Sequence, residues 1–140
     1  MANEMNLQRF IEAQRNDYGT ALSEIKNGKK RSHWMWYIFP QIDGLGFSET
    51  SRYYAIKDIE EAKAFLQDKV LGSRLIEICT ELLSLTSNDA HGIFGSPDDM
   101  KLKSSMTLFA SLQIHPVFQQ VLDKFFKGSP DEKTVQIIKK

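Results

Sequence analysis

One cysteine in 140 residues, Cys79, excludes an intramolecular disulfide, and a single thiol beside three scattered histidines offers no zinc-ligand spacing. No metal is expected. Cys79 lies in the apolar run Leu75-Ile76-Glu77-Ile78-Cys79 and reads as a small buried hydrophobe. Net charge is missing too: 18 basic and 18 acidic side chains cancel, which removes the footprint that sequence-independent nucleic-acid binding requires. Neither DNA nor RNA is an expected partner. No hydrophobic run approaches the roughly 18 residues of a spanning helix, so no membrane role is expected. The opening Met1-Ala2-Asn3-Glu4 lacks a basic stretch followed by an apolar one, which predicts no secretory leader and a cytoplasmic protein. A hydrolytic triad, a carboxylate–histidine metal pair at helical spacing and a full dinucleotide or P-loop fingerprint are all absent, and no cofactor is predicted.

What is present is helical periodicity. An apolar fraction of 41% and a charged fraction of 26% are ordinary globular values, and 140 residues suit a single domain spanning 1–140. Leu7, Phe10, Ile11, Tyr18, Ala21, Leu22 and Ile25 form the stripe of an amphipathic helix, with Asn6 as its cap and Gly28 at its end. Asp58 caps a helix through Ala62, Phe65 and Leu66, and another begins near Leu71 and runs to about Leu85. Ser96 as cap, Pro97 at the first helical position and Asp98 and Asp99 at the positive end of the dipole mark a further start, and Ser129-Pro130-Asp131-Glu132 repeats that grammar. A helix from Pro116 to Gly128 lies between. The expected fold is all-α, a compact single-domain bundle of about seven or eight short helices.

The chemistry concentrates in two blocks. Ser32-His33-Trp34-Met35-Trp36-Tyr37-Ile38-Phe39-Pro40-Gln41 holds both tryptophans and fits either a short buried strand or a two-turn helix capped by Ser32; the lack of a partner strand favours the helix. Within it, His33 is the best candidate for acid–base work, and Trp34 and Trp36 can stack on a ligand, although all three also suit plain packing. Gly44-Leu45-Gly46 with Ser48 can bring backbone N–H groups near an anion. On the Pro97 helix, Asp98, Lys101 and Ser105 fall inside the apolar arc, where they face a cavity or else form an ion pair with Ser105 bonded back to a carbonyl. Ser104, Thr107 and Ser111 lie on the other side with Lys103 and read as its solvated face.

These residues carry a family resemblance. The Ser32–Gln41 block, Gly44-Leu45-Gly46, Tyr54-Ala55-Ile56, Ile93-Phe94-Gly95 and the run from Pro97 to Phe109 resemble the Domain of Unknown Function 1810 family over nearly the whole chain. The resemblance implies a compact, mainly helical domain and brings no reaction or catalytic residue. Lys103 stands where that family more often has arginine, so a bidentate guanidinium contact is not available there. A fainter similarity, through Leu71-Gly72-x-Arg74 and the later basic, methionine-bearing helix, is to the NADAR group of N-glycosidases acting on ADP-ribose-related compounds.

The fainter similarity implies an N-glycosidase-like enzyme acting on ADP-ribose-related compounds, and the residues themselves give two further readings of function. In the first, the His33–Gln41 segment meets the Pro97–Phe109 helix to form a site for a small phosphorylated or nucleotide-like ligand. Lys101 or Lys103 would meet the anion, Ser48, Ser104, Ser105 or Thr107 would donate hydrogen bonds, and Trp34, Trp36, Gln41 and Asp98 would complete the site, with His33 moving a proton. In the second, the same blocks build core and present an aromatic edge to a protein partner. The sequence leaves both the choice between them and the oligomeric state open.

Overall fold

Several helices of this chain bury one stripe of side chains against their neighbours, and the seams between stripes set the architecture. The computed structural model describes residues 6–139. Among them lie nine helices: α1 (Gln8–Lys26), α2 (Met35–Ile38), α3 (Glu49–Tyr53), α4 (Ile59–Gln67), α5 (Lys69–Ser84), α6 (Ala90–Phe94), α7 (Asp98–Ala110), α8 (Val117–Phe126) and α9 (Glu132–Lys139). The count exceeds the expected seven or eight because α2, α3 and α6 are single turns of four or five residues, too short to show a period. The only extended pairing among the described residues is an isolated parallel bridge, Ile42 with Ile56. No helix among them is long and apolar enough to cross a membrane.

α1 turns Phe10, Ala21 and Ile25 inward and crosses α5, whose Leu71, Leu75, Ile78, Cys79 and Leu82 are buried. Gln14 is buried on the same face, and its amide donates to the Tyr37 carbonyl at 2.8 Å, so this polar group is satisfied. α5 also packs on α4 and α8, and α7 on α8. Phe10 meets Phe65 edge-on at 5.0 Å, Phe65 meets Phe109 at 5.6 Å, and Phe109 meets Phe118 at 5.6 Å. This aromatic line joins α1, α4, α7 and α8, and each such ring contributes roughly 1.5–3 kcal/mol by leaving water. Gly72 explains how closely α5 follows α4: an added Cβ would lie 1.9 Å from the Leu66 carbonyl oxygen.

The helix starts divide into those that local chemistry decides and those that it does not. Asp58 caps α4, accepting from the Glu61 N–H at 2.9 Å, and Gly28 closes α1 with φ of 74°. Four expected caps are replaced. Leu7 stands at the start of α1 with no side-chain bond, and Asn6 instead offers its carbonyl to Arg9. Trp34 precedes α2, because the Ser32 hydroxyl is drawn to Glu24 at 2.6 Å. Pro97, after a cis peptide bond, occupies the position before α7, and Ser96 makes no cap bond there. Asp131, not Ser129, caps α9, accepting from the Thr134 N–H at 3.0 Å and the Thr134 hydroxyl at 2.6 Å. α5 starts two residues before Leu71, because the Asp68 carboxylate accepts from the Val70 and Leu71 N–H groups at 2.9 Å each.

The largest departure concerns α7. Ser104, Ser105 and Thr107 are all buried, and of the expected solvated face only Ser111 is exposed and Lys103 half-buried. Helices α4, α6, α8 and α9 pack around α7, so its middle turns leave little beyond Lys103 open to water. The polar groups adapt: Ser104 bonds the Met100 carbonyl at 3.2 Å and Thr107 the Lys103 carbonyl at 2.8 Å, each one turn back.

Candidate functional site

The last turn of the tryptophan block, the loop after it and the first turns of α7 enclose a cleft of about 280 Å³. Its far wall is the start of α9. The loop is held by the bridge: the Ile56 N–H donates to the Gln41 carbonyl and the Asp43 N–H to the Ile56 carbonyl, both at 2.8 Å. Two glycines let it lie close to its neighbours. Gly44 has φ of 108° and sits under Ile137 of α9, and a Cβ on Gly46 would lie 2.7 Å from the Ser51 Oγ.

One charged cluster borders the cleft. Asp98, in the first turn of α7, receives the Lys30 ammonium on Oδ2 at 2.9 Å and the Lys101 ammonium on Oδ1 at 3.2 Å. Each lysine also lies over a tryptophan, Lys30 at 5.1 Å from the Trp34 ring and Lys101 at 3.8 Å from the Trp36 ring. Burial alone would raise the Asp98 carboxyl, but the hydrogen bonds and charges of Lys30 and Lys101 outweigh it and hold the group below its ordinary range. Behind this cluster, Glu24 anchors the start of the tryptophan block through the N–H groups of Arg31 and Ser32, the Ser32 hydroxyl and the Trp34 indole, at 2.6–3.0 Å. Burial opposes ionisation of Glu24 as well, yet these four donors pull its carboxyl down to about 2.

Of the residues singled out in the sequence, Trp36, Gln41, Gly44, Leu45, Gly46, Lys101 and Ser104 line the cleft together. The others do not. Trp34 is buried against Phe94 and Phe39. His33 is exposed, and only its backbone carbonyl is engaged, accepting from Tyr37 at 3.2 Å. Ser48 caps α3, Lys103 lies over Phe126, and Asp98 stands behind Lys101. Thr107 supports α9, its hydroxyl accepting from the Asp131 N–H at 2.8 Å. Ser105 is fully buried, and its hydroxyl has no partner among the described residues. The two blocks meet chiefly through Lys101 on Trp36, while Trp34 and Phe39 pack on α6 and the tryptophan block leans on α1.

The sequence reading missed Tyr54, Asp131 and Lys133 as parts of the lining. Asp131 and Lys133 carried a signal only as a helix start, and nothing local tied that start to α7. Tyr54 packs on Tyr37 and Tyr53 at 5.1 and 4.8 Å, and burial, reinforced by Tyr53, raises its hydroxyl pKa. Among the described residues no group of three His, Cys, Asp or Glu side chains is placed to hold a metal ion. The Leu71-Gly72-x-Arg74 stretch lies away from the cleft: Gly72 serves the α4–α5 approach, and Arg74 lies over Tyr18 and donates to Gln14 at 3.3 Å.

Fold and site thus define a helical bundle with a small polar cleft between its aromatic block and the α7 and α9 starts. The chain belongs to the family described as "protein of unknown function (DUF1810)", whose model matches residues 4–138. It is similar in structure to the conserved hypothetical protein Rv1873 from Mycobacterium tuberculosis, with 40% sequence identity, 99% of each chain covered and a TM-score of 0.96. No curated protein matches it.

Proposed function

We propose that this cleft binds a small phosphorylated or nucleotide-like ligand, with Lys101 as its anion contact, in a single-domain cytoplasmic protein. The observation that carries the reading is the convergence of Lys101, Ser104, Gln41 and Trp36, from two distant stretches of chain, on one open space. Lys101 supplies a cation whose stem and head are ordered by the Trp36 face, which lowers the entropy lost on binding. Ser104 and Gln41 add hydrogen-bonding groups beside it. A volume of about 280 Å³ is near the lower end of ligand sites and favours one sugar phosphate or mononucleotide over a dinucleotide. His33 lies outside the lining, so the reading assigns binding and no proton-transfer step.

A thermal-shift screen with inorganic phosphate, mononucleotides, NAD and ADP-ribose tests it. A rise in Tm that Lys101→Met abolishes is expected; no rise with any compound at millimolar concentration would overturn the reading. A second reading, a protein-interaction module, draws on Phe47 and Tyr53, which are 77% and 55% exposed beside the cleft loop. Substituting both by serine would leave ligand-induced shifts intact under the first reading and abolish partner capture under the second.

A further inference from the structure

We infer that Lys30 is a positioning residue that keeps Asp98 occupied and so delivers Lys101 to a single phosphoryl group in the cleft. This rests on the reading of the cleft as an anion site. Asp98 carries one negative charge and has two lysines within 3.2 Å, so the cluster holds one surplus positive charge. The two lysines are not equivalent. The Lys30 side chain is 7% exposed, makes the shorter contact at 2.9 Å and also donates to the Ser32 carbonyl; its own backbone N–H is tied to the Ile93 carbonyl at 2.8 Å. Lys101 is 19% exposed, makes the longer contact and lines the cleft.

A phosphate oxygen that draws the Lys101 ammonium toward the cleft therefore leaves Asp98 paired by Lys30. Without Lys30 the same movement would strand a partly buried carboxylate, a costly state, and Lys101 would be held back as its sole counter-ion. The surplus of the cluster is one charge, and elsewhere in the lining two carboxylates, Asp43 and Asp131, stand against one lysine, Lys133. Such a lining accommodates one phosphoryl group and disfavours a chain of them, because beyond Lys101 it holds more carboxylates than cations.

The test is titration of the full chain with adenosine monophosphate and with adenosine triphosphate, followed by NMR shifts of the Trp36 indole. The monophosphate should bind the tighter of the two. Lys30→Met should weaken monophosphate binding about tenfold, and adding Asp98→Asn to Lys30→Met should restore it to within about threefold, since Lys101 then has no carboxylate to neutralise. Lys30→Arg, which keeps the charge, should retain binding. The double variant replaces an ion pair by neutral groups of similar size, so it guards against misfolding of the single one. If Lys101→Met abolishes binding while Lys30→Met leaves it unchanged, or if the double variant stays as weak as Lys30→Met, the role of Lys30 is overturned and the site reading stands. A triphosphate that binds tighter overturns the one-phosphoryl limit. If wild type shows no shift with either compound, or Lys101→Met binds like wild type, the site reading falls and this inference with it.

Discussion

Two ion clusters of this molecule, one buried and one half-buried, each set carboxylate against cation and differ in saturation. At the start of α1, Arg9 and Glu61 are 4% and 1% exposed and paired through both carboxylate oxygens, at 3.1 and 3.2 Å. The guanidinium also donates to the carbonyls of Tyr53 and Ala55 at 2.7 Å and to that of Asn6, while Glu61 accepts a further bond from the Lys57 N–H at 2.8 Å. Charges balance and the polar groups are engaged within the protein, which makes this a structural clamp on the α3–α4 connection. At the start of α7, two cations share one carboxylate, and one of them faces a cleft. A closed network fixes the chain; a network with a surplus charge at its open side has something left to offer a ligand.

The sharpest way to break this comparison is to cut the closed cluster. Arg9→Met should strand the Glu61 carboxylate and lower unfolding stability by about 3–5 kcal/mol, read by urea denaturation. A loss under about 1 kcal/mol would show that burial and saturation do not mark the structural cluster.

Acid tests the other side of the molecule. Glu24 is depressed from 4.5 to about 2 in the folded protein, so it contributes stability that is fully present above the unfolded value. That contribution is lost as pH falls from about 4.5 toward 2. Asp98 is depressed as well and acts in the same direction. Glu24→Gln should flatten the pH dependence of Tm across that window; an unchanged slope would mean that its four donors do not favour the ionised form. A smaller effect is expected at the open cluster, where Lys101→Met should cost under about 1 kcal/mol, because Asp98 keeps Lys30. A loss equal to that of Arg9→Met would erase the distinction between the two clusters. The smallest effect belongs to Ser105→Ala. Its hydroxyl is buried without a partner among the described residues, so its removal should be neutral or stabilising by up to about 1 kcal/mol, measured by Tm.

Much of the fold was legible because helix formation reports itself within a few residues. The stripe of α1, the Asp58 cap and the Gly28 stop needed no distant partner. The short helices α2, α3 and α6 blurred the count, since four or five residues complete no period. Half of the site was legible for a different reason. Lys101 interrupts an apolar arc, Trp36 and Gln41 stand in a block of unusual composition, and Ser104, though read as part of a solvated face, was named as a hydrogen-bond donor, so each was visible before its neighbours were known. Tyr54, Asp131 and Lys133 were not, because their residue types are ordinary and only packing brings α3 and α9 to the cleft.

By itself the sequence determined the helical class, the burial of Cys79 and the identity of the two informative blocks, since periodicity, composition and a lone thiol are properties of neighbouring residues. Only the tertiary structure decided which polar groups were consumed and which remained. Ser32 was lost to Glu24, Thr107 to Asp131 and the α9 cap to Asp131, because a hydrogen-bonding group takes the best partner within 3 Å, however far along the chain that partner lies. Saturation is likewise a three-dimensional sum: one carboxylate from α7 against two ammonium groups, one of them 68 residues away at Lys30, is what leaves a charge facing the cleft.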